Sequence, residues 1–138
     1  MRNPTPVTSP AIGPAAGPYS PAVRVGDLLF VSGQGPFRPD GSQAGPTFHD
    51  QAEAVFDNIA ALAAEAGTSL AHAVRIGCYL STLAHFAEWN EACQRRLSAP
   101  HPARTTVPVA LPGFDIEVDA VLWIPPASED AASEDAAR

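Results

Sequence analysis

Between Ile116 and Ile124 every second residue is apolar: Ile116, Val118, Ala120, Leu122 and Ile124 fall on one side of an extended chain. A period of two marks a β-strand, because successive side chains point to opposite faces. One face of that strand must be covered, and the chain supplies the cover. Ala52, Val55, Phe56, Ile59, Leu62 and Ala66 recur at helical spacing, so a helix from Asp50 to Ala66 has one apolar stripe, with Glu53, Asp57 and Ala61 elsewhere. A sheet with helices on one face follows, which is the α+β class. The opposite face of the last strand carries Asp115, Glu117, Asp119, Val121 and Trp123. Its Val121–Trp123 end is too apolar to stay wet, so subunit association is the expected cover.

Turn chemistry divides the rest of the chain. Ala22–Val25 and Leu28–Ser32 read as strands joined by a hairpin turn at Gly26-Asp27. Pro39-Asp40-Gly41 is a second turn, in which proline presets φ and glycine takes a positive φ. Thr47 and Asp50 form a capping pair at the start of the first helix, and Gly67 suits a left-handed cap at its end. Val74–Leu80 reads as a strand, and residues 84–97 as a second helix with Phe86, Cys93 and Leu97 inside. Arg104–Leu111 and Ile116–Ile124 are the last strands, parted by Pro112-Gly113. The predicted order is β-β-α-β-α-β-β, a single mixed sheet with both helices on one face.

Proline at 4, 6, 10, 14 and 18 makes residues 1–18 an extended leader without regular structure. Residues 125–138 repeat Ala-Ser-Glu-Asp-Ala and have nothing to bury, which predicts a disordered acidic tail. A single domain over 19–124 remains.

Composition excludes several chemistries. None of the 138 residues is lysine, so there is no Schiff-base amine, no pyridoxal-phosphate anchor and no phosphate-loop lysine. A net charge of −7, with arginine as the only permanent cation, argues against nucleic acid as a partner. No apolar run suffices for a membrane span and no signal-peptide core follows Met1, and two cysteines are too few for a disulfide scaffold, so a cytoplasmic protein is expected. Gly33-Gln34-Gly35 opens like a dinucleotide fingerprint, but position 38 is arginine. The histidines at 49, 72, 85 and 101 lack metal-ligand spacing, and His85 reads as a surface residue. Cys78 and Cys93 read as inert core thiols. No metal and no cofactor are expected.

Three positions admit a chemical role beside a plain structural one: an exposed strand-end arginine, an outward carboxylate and a structural amide hydrogen bond are the alternatives at Arg104, Glu117 and Asn90. Arg104 enters a strand whose other residues are uncharged, and its planar fork matches a carboxylate. Glu117 alternates with apolar residues; under a covering subunit its carboxyl would sit partly dry, where a raised pKa suits a base acting on water. Asn90 brings an amide to the inner stripe of the second helix.

Gly17-Pro18-Tyr19-Ser20, Val31-Ser32-Gly33-Gln34, the Asn90 helix, Pro102-Ala103-Arg104 and Ile116-Glu117-Val118-Asp119 occur in this chain in the order typical of the Rid/YjgF family. The chain resembles these reactive-intermediate deaminases over residues 16–124. The resemblance implies a chorismate-mutase-like subunit in a homotrimeric barrel, with sites in clefts between subunits. It implies hydrolysis of 2-imino acids and their enamine tautomers, such as 2-aminoacrylate or 2-iminobutanoate, to 2-oxo acids and ammonia without a cofactor. By the same resemblance Arg104 binds the substrate carboxylate, Glu117 activates water, Tyr19 and Asn90 line the cleft, and Gly33 offers backbone contacts. Where the family often has a cysteine this chain has Thr106, a substrate-binding position that argues against thiol chemistry there. Two alternatives share the scaffold: a non-catalytic trimer that binds small carboxylates, and a pathway-specific hydrolase or lyase.

Overall fold

The computed structural model describes residues 3–127. In chain order the elements are β1 (Thr5–Val7), β2 (Ala22–Val25), β3 (Leu28–Gln34), α1 (Phe48–Glu65), β4 (Ala73–Leu80), α2 (Phe86–Arg96), β5 (Ala103–Pro108) and β6 (Ile116–Trp123). Short 3-10 turns at Leu70–His72 and Leu83–His85 lead into β4 and α2. The six strands form one sheet in the order β1-β2-β3-β6-β4-β5, parallel only between β4 and β5. The strand with the strictest alternation, β6, thus lies in the interior of the sheet, and its Ile116, Val118, Ala120 and Leu122 are buried.

Val55, Phe56, Ile59 and Leu62 of α1 are fully buried against that face. Each such side chain contributes about 1.5–3 kcal/mol of burial. The helix starts where Thr47 Oγ1 accepts the Asp50 N–H at 3.1 Å. It stops at Gly67, φ +82°, where the Gly67 N–H reaches Ala64 O and the Thr68 N–H reaches Ala63 O, at 3.1 and 2.9 Å. That pair of bonds satisfies carbonyls the helix leaves open, and the left-handed φ is why glycine stands there. Gly26, φ +58°, performs the hairpin turn between β2 and β3 in the same way.

Three expectations need correction. The leader is not free of structure: Thr5–Val7 pairs antiparallel with β2, Val7 packs against the core, and Ser9 and Ile12 are buried. Pro6 is tolerated because β1 is an edge strand, where a missing N–H leaves no neighbour unpaired. The inner stripe of α2 is Trp89, Ala92 and Cys93, whereas Phe86 is 40% exposed and Asn90 half-buried. The largest apolar group takes the interior, stacking its indole on Phe56 at 5.7 Å. Finally, β5 ends at Pro108 rather than Leu111, because its partner β4 ends opposite at Leu80. Most of the predicted acidic tail, from residue 128 on, lies outside the described residues.

At the surface α1 and α2 are tied by Glu53, which accepts Arg95 Nη2 at 3.0 Å and Arg96 Nη1 at 2.6 Å, while Arg96 also donates to Asp57 at 2.8 Å. Burial alone would raise the Glu53 pKa; the hydrogen bonds from Arg96 and Arg95 outweigh it and hold the carboxyl below its ordinary range. No helix among the described residues is long and apolar enough to cross a membrane.

Candidate functional site

Glu117 stands on the face of β6 that the helices leave open. In the β3–β6 ladder Val31 pairs with Ala120 and Gln34 with Val118, so Ser32 and Gly33 together oppose Asp119. This bulge brings the Gly33 backbone against the Glu117 carboxyl. A Cβ at position 33 would fall 2.7 Å from Glu117 Oε2 and 3.0 Å from its carboxyl carbon, so only glycine lets that carboxyl rest there. Burial, and secondarily the charge of Asp119, raises the Glu117 pKa. Asp119 in turn accepts the Tyr79 hydroxyl at 2.9 Å, a bond that raises the tyrosine pKa.

Tyr19 joins the same site from the loop before β2. It is 50% exposed, and its hydroxyl oxygen accepts the Ala16 N–H at 3.1 Å, which leaves its own proton to donate outward. Tyr19, Gly33 and Glu117 line one cavity of about 480 Å³.

Arg104 belongs to a different surface. It pairs with Ile76, which pairs with Ala120, so its side chain shares the helix-covered face of the sheet at the β5 edge. Its guanidinium carbon lies 5.7 Å from the Phe86 ring centre and 5.8 Å from that of Trp89, and Nη1 donates to Cys93 Sγ at 3.5 Å. Two aromatic faces and a sulfur therefore orient the fork. Thr106, two residues on, accepts the Trp89 indole N–H at 3.0 Å, so its hydroxyl oxygen fixes the ring that supports Arg104. Asn90, His101 and Arg104 line a second cavity, of about 380 Å³. Burial raises the Cys93 pKa against the opposing bond from Arg104, and burial also pushes up Cys78, so both stay thiols.

Six positions singled out in the sequence thus divide into two groups. Tyr19, Gly33 and Glu117 lie together; Asn90, Arg104 and Thr106 lie together. Glu117 pairs with Tyr79, whose other neighbour is Val107, so Glu117 and Arg104 project from opposite faces and do not meet within one protomer. Sequence reasoning missed Trp89 and Phe86 as the supports of Arg104; the signal available was the aromatic residue directly before Asn90. It also read His85 as a surface residue, whereas the imidazole stacks on Phe48 at 4.5 Å with 24% of its side chain exposed.

The sequence pattern of the family described as Endoribonuclease L-PSP matches residues 9–124. The chain belongs to the Rid/YjgF family. It is 43% identical over 111 residues to the RutC family protein y4sK of Sinorhizobium fredii, covering 78% of this chain and 88% of that protein. It is 34% identical over 119 residues to the mitochondrial protein MMF1 of Saccharomyces cerevisiae, covering 85% of this chain and 82% of that one. Among solved structures, RidA from an Antarctic Psychrobacter superposes with a TM-score of 0.82 at 38% identity, over 87% of this chain and 99% of that chain. The TdcF protein of E. coli, solved with serine bound, superposes at 0.78 with 28% identity, over 86% of this chain and 98% of that chain. As a Rid/YjgF protein the chain shows the family's single mixed sheet and two helices, and the matched segment begins after β1.

Proposed function

We propose that this Rid/YjgF protein hydrolyses 2-imino acids and their enamine tautomers, 2-aminoacrylate and 2-iminobutanoate among them, to 2-oxo acids and ammonia. The observation that carries the reading is the division of the site. One open cavity holds a carboxyl with a raised pKa, the other an arginine held by two rings, and these are the two groups that the chemistry needs. They can act together only if a neighbouring protomer brings its Arg104 to this protomer's Glu117. A homotrimer with a site at each boundary is that arrangement in the closed symmetry the family resemblance implies. The uncovered face of the sheet favours association, since Leu28, Phe30, Val107 and Trp123 are exposed on it. The serine held by the related TdcF carries a carboxylate of the kind that Arg104 would bind.

In this mechanism Arg104 takes the substrate carboxylate in a bidentate grip and sets the adjoining iminium carbon against a water. Glu117 accepts a proton from the water as its oxygen attacks that carbon. Glu117 then returns that proton to the carbinolamine nitrogen, the C–N bond breaks as the hydroxyl proton is lost to solvent, and ammonia and the 2-oxo acid leave. Tyr19 and the Gly33 backbone donate to the polar end of the intermediate, and Asn90 borders the arginine side. Water is the nucleophile and the iminium is already electrophilic, so the step draws on no cofactor. Both cysteines are free thiols, and we place the reaction in the reducing environment of the cytoplasm.

The test is a trapping assay. A dehydratase generates 2-iminobutanoate or 2-aminoacrylate, and semicarbazide captures what remains. The wild-type protein lowers the trapped amount; Arg104→Ala loses about a hundredfold in rate, on the order of 3 kcal/mol. Equal trapping with and without the wild-type protein, together with retained binding of 2-oxobutanoate, would assign the chain to non-catalytic carboxylate binding instead.

A further inference from the structure

The cavity beside Glu117 is larger than the smallest imines require, and its far wall is apolar. Ile12, Pro14, Pro21, Phe37 and Phe114 line it around a volume of about 480 Å³. We propose that this wall receives the substrate side chain and that the preferred substrates are 2-imino acids with branched-aliphatic or aromatic side chains. The inference rests on the deaminase reading and specifies its substrate class.

The wall is built in advance of any ligand. Phe37 and Phe114 meet edge to face with ring centres 5.3 Å apart. The Phe37 ring lies on the Cα of Gly35, where a Cβ would come within 2.7 Å of a ring carbon, so glycine there permits the seat. Asn58, buried on α1, donates to Gly35 O at 3.3 Å and Phe37 O at 3.0 Å and so ties that loop to the core. On the other side Gly13 brings the leader loop against Arg38 O, which a Cβ would approach to 3.3 Å.

Two amides that line this cavity are already engaged, and the Arg38 guanidinium is committed through Nη1 alone. The amide of Gln34 donates to Ser32 O, that of Asn58 is committed as described, and Arg38 donates from Nη1 to Gln43 O at 2.9 Å. An uncharged polar side chain would find few partners in the engaged amides, whereas an apolar one would gain about fourfold in binding for each methylene it buries. A methyl or ethyl group would leave most of the volume to solvent.

An amino-acid oxidase acting on leucine, phenylalanine or 2-aminobutyrate supplies the three imines, and semicarbazide trapping gives kcat/KM for each. The expected result is a preference of at least about tenfold for the leucine- and phenylalanine-derived imines over 2-iminobutanoate. In Phe37→Ala that ratio falls towards one. Should this variant fail to fold, competition on the wild-type protein decides: phenylpyruvate and 4-methyl-2-oxopentanoate should inhibit at lower concentration than 2-oxobutanoate. Equal rates and equal inhibition overturn the proposal while leaving the deaminase reading intact, and are the result expected if a neighbouring copy fills the cavity. A preference for an imine with an acidic side chain also overturns it, because Arg38 would then govern selection. Failure to consume any imine removes both readings.

Discussion

A carboxyl on an interior strand of a sheet is held partly away from water, and Glu117 shows the cost. Its pKa is raised by burial first and by Asp119 second, so the folded state holds this proton more tightly than the unfolded chain does. The stability linked to this group is therefore complete below its ordinary pKa of 4.5 and is lost as pH rises through the folded-state value. Glu117→Gln keeps the shape and removes the charge. Thermal melts of the two proteins should show the variant melting higher at pH 7, with the gap closing below pH 4.5, although its turnover is lost. A variant that melts lower at pH 7 would mean that the fold stabilises the carboxylate, the opposite of what burial beside Asp119 requires. Glu117 was legible in the sequence as an acid alternating with apolar neighbours. The closeness of Gly33 was not, because a bulge between two strands far apart in the chain leaves no local pattern.

At the level of elements, the position of α2 on the sheet determines what Arg104 touches. Periodicity from Phe86 to Leu97 admits more than one inner stripe, and packing selected the one that buries Trp89. Rotating that indole inward brought its N–H to Thr106 at 3.0 Å and left Phe86 free to flank the guanidinium. Thr106→Val removes the acceptor of a buried donor, an unsatisfied group that costs about 1–3 kcal/mol. Urea unfolding should register that loss, and Thr106→Ser should recover most of it. If valine is as stable as threonine, the indole hydrogen bond does not hold the ring. Element ends were read better than faces: Thr47 and Gly67 cap α1 as their side-chain chemistry requires. Caps are local, whereas the choice of an inner stripe depends on what lies beneath the helix.

At the scale of the whole molecule, Arg104 and Glu117 line separate cavities on opposite faces of the sheet. If each site takes Arg104 from one protomer and Glu117 from the next, Arg104→Ala and Glu117→Gln complement one another in mixed assemblies. Co-refolding equal amounts of the two inactive variants should restore about a quarter of wild-type activity, the chance that a boundary joins two intact halves. Activity that stays at the level of the separate variants would place both groups in one protomer's site and contradict the divided arrangement.

By itself the sequence determined the class of fold, most of the strands, the first helix with both its caps, and the residue types able to hold a carboxylate and activate water. Those features are written in periodicity, in turn residues and in side-chain chemistry, all of which act over a few neighbouring positions. Only the tertiary structure decided that Thr5–Val7 completes the sheet edge, which stripe of α2 faces inward, and that Arg104 and Glu117 project from opposite faces. Each of these depends on register and packing between segments distant in the chain, where the energy of contact outweighs any local preference.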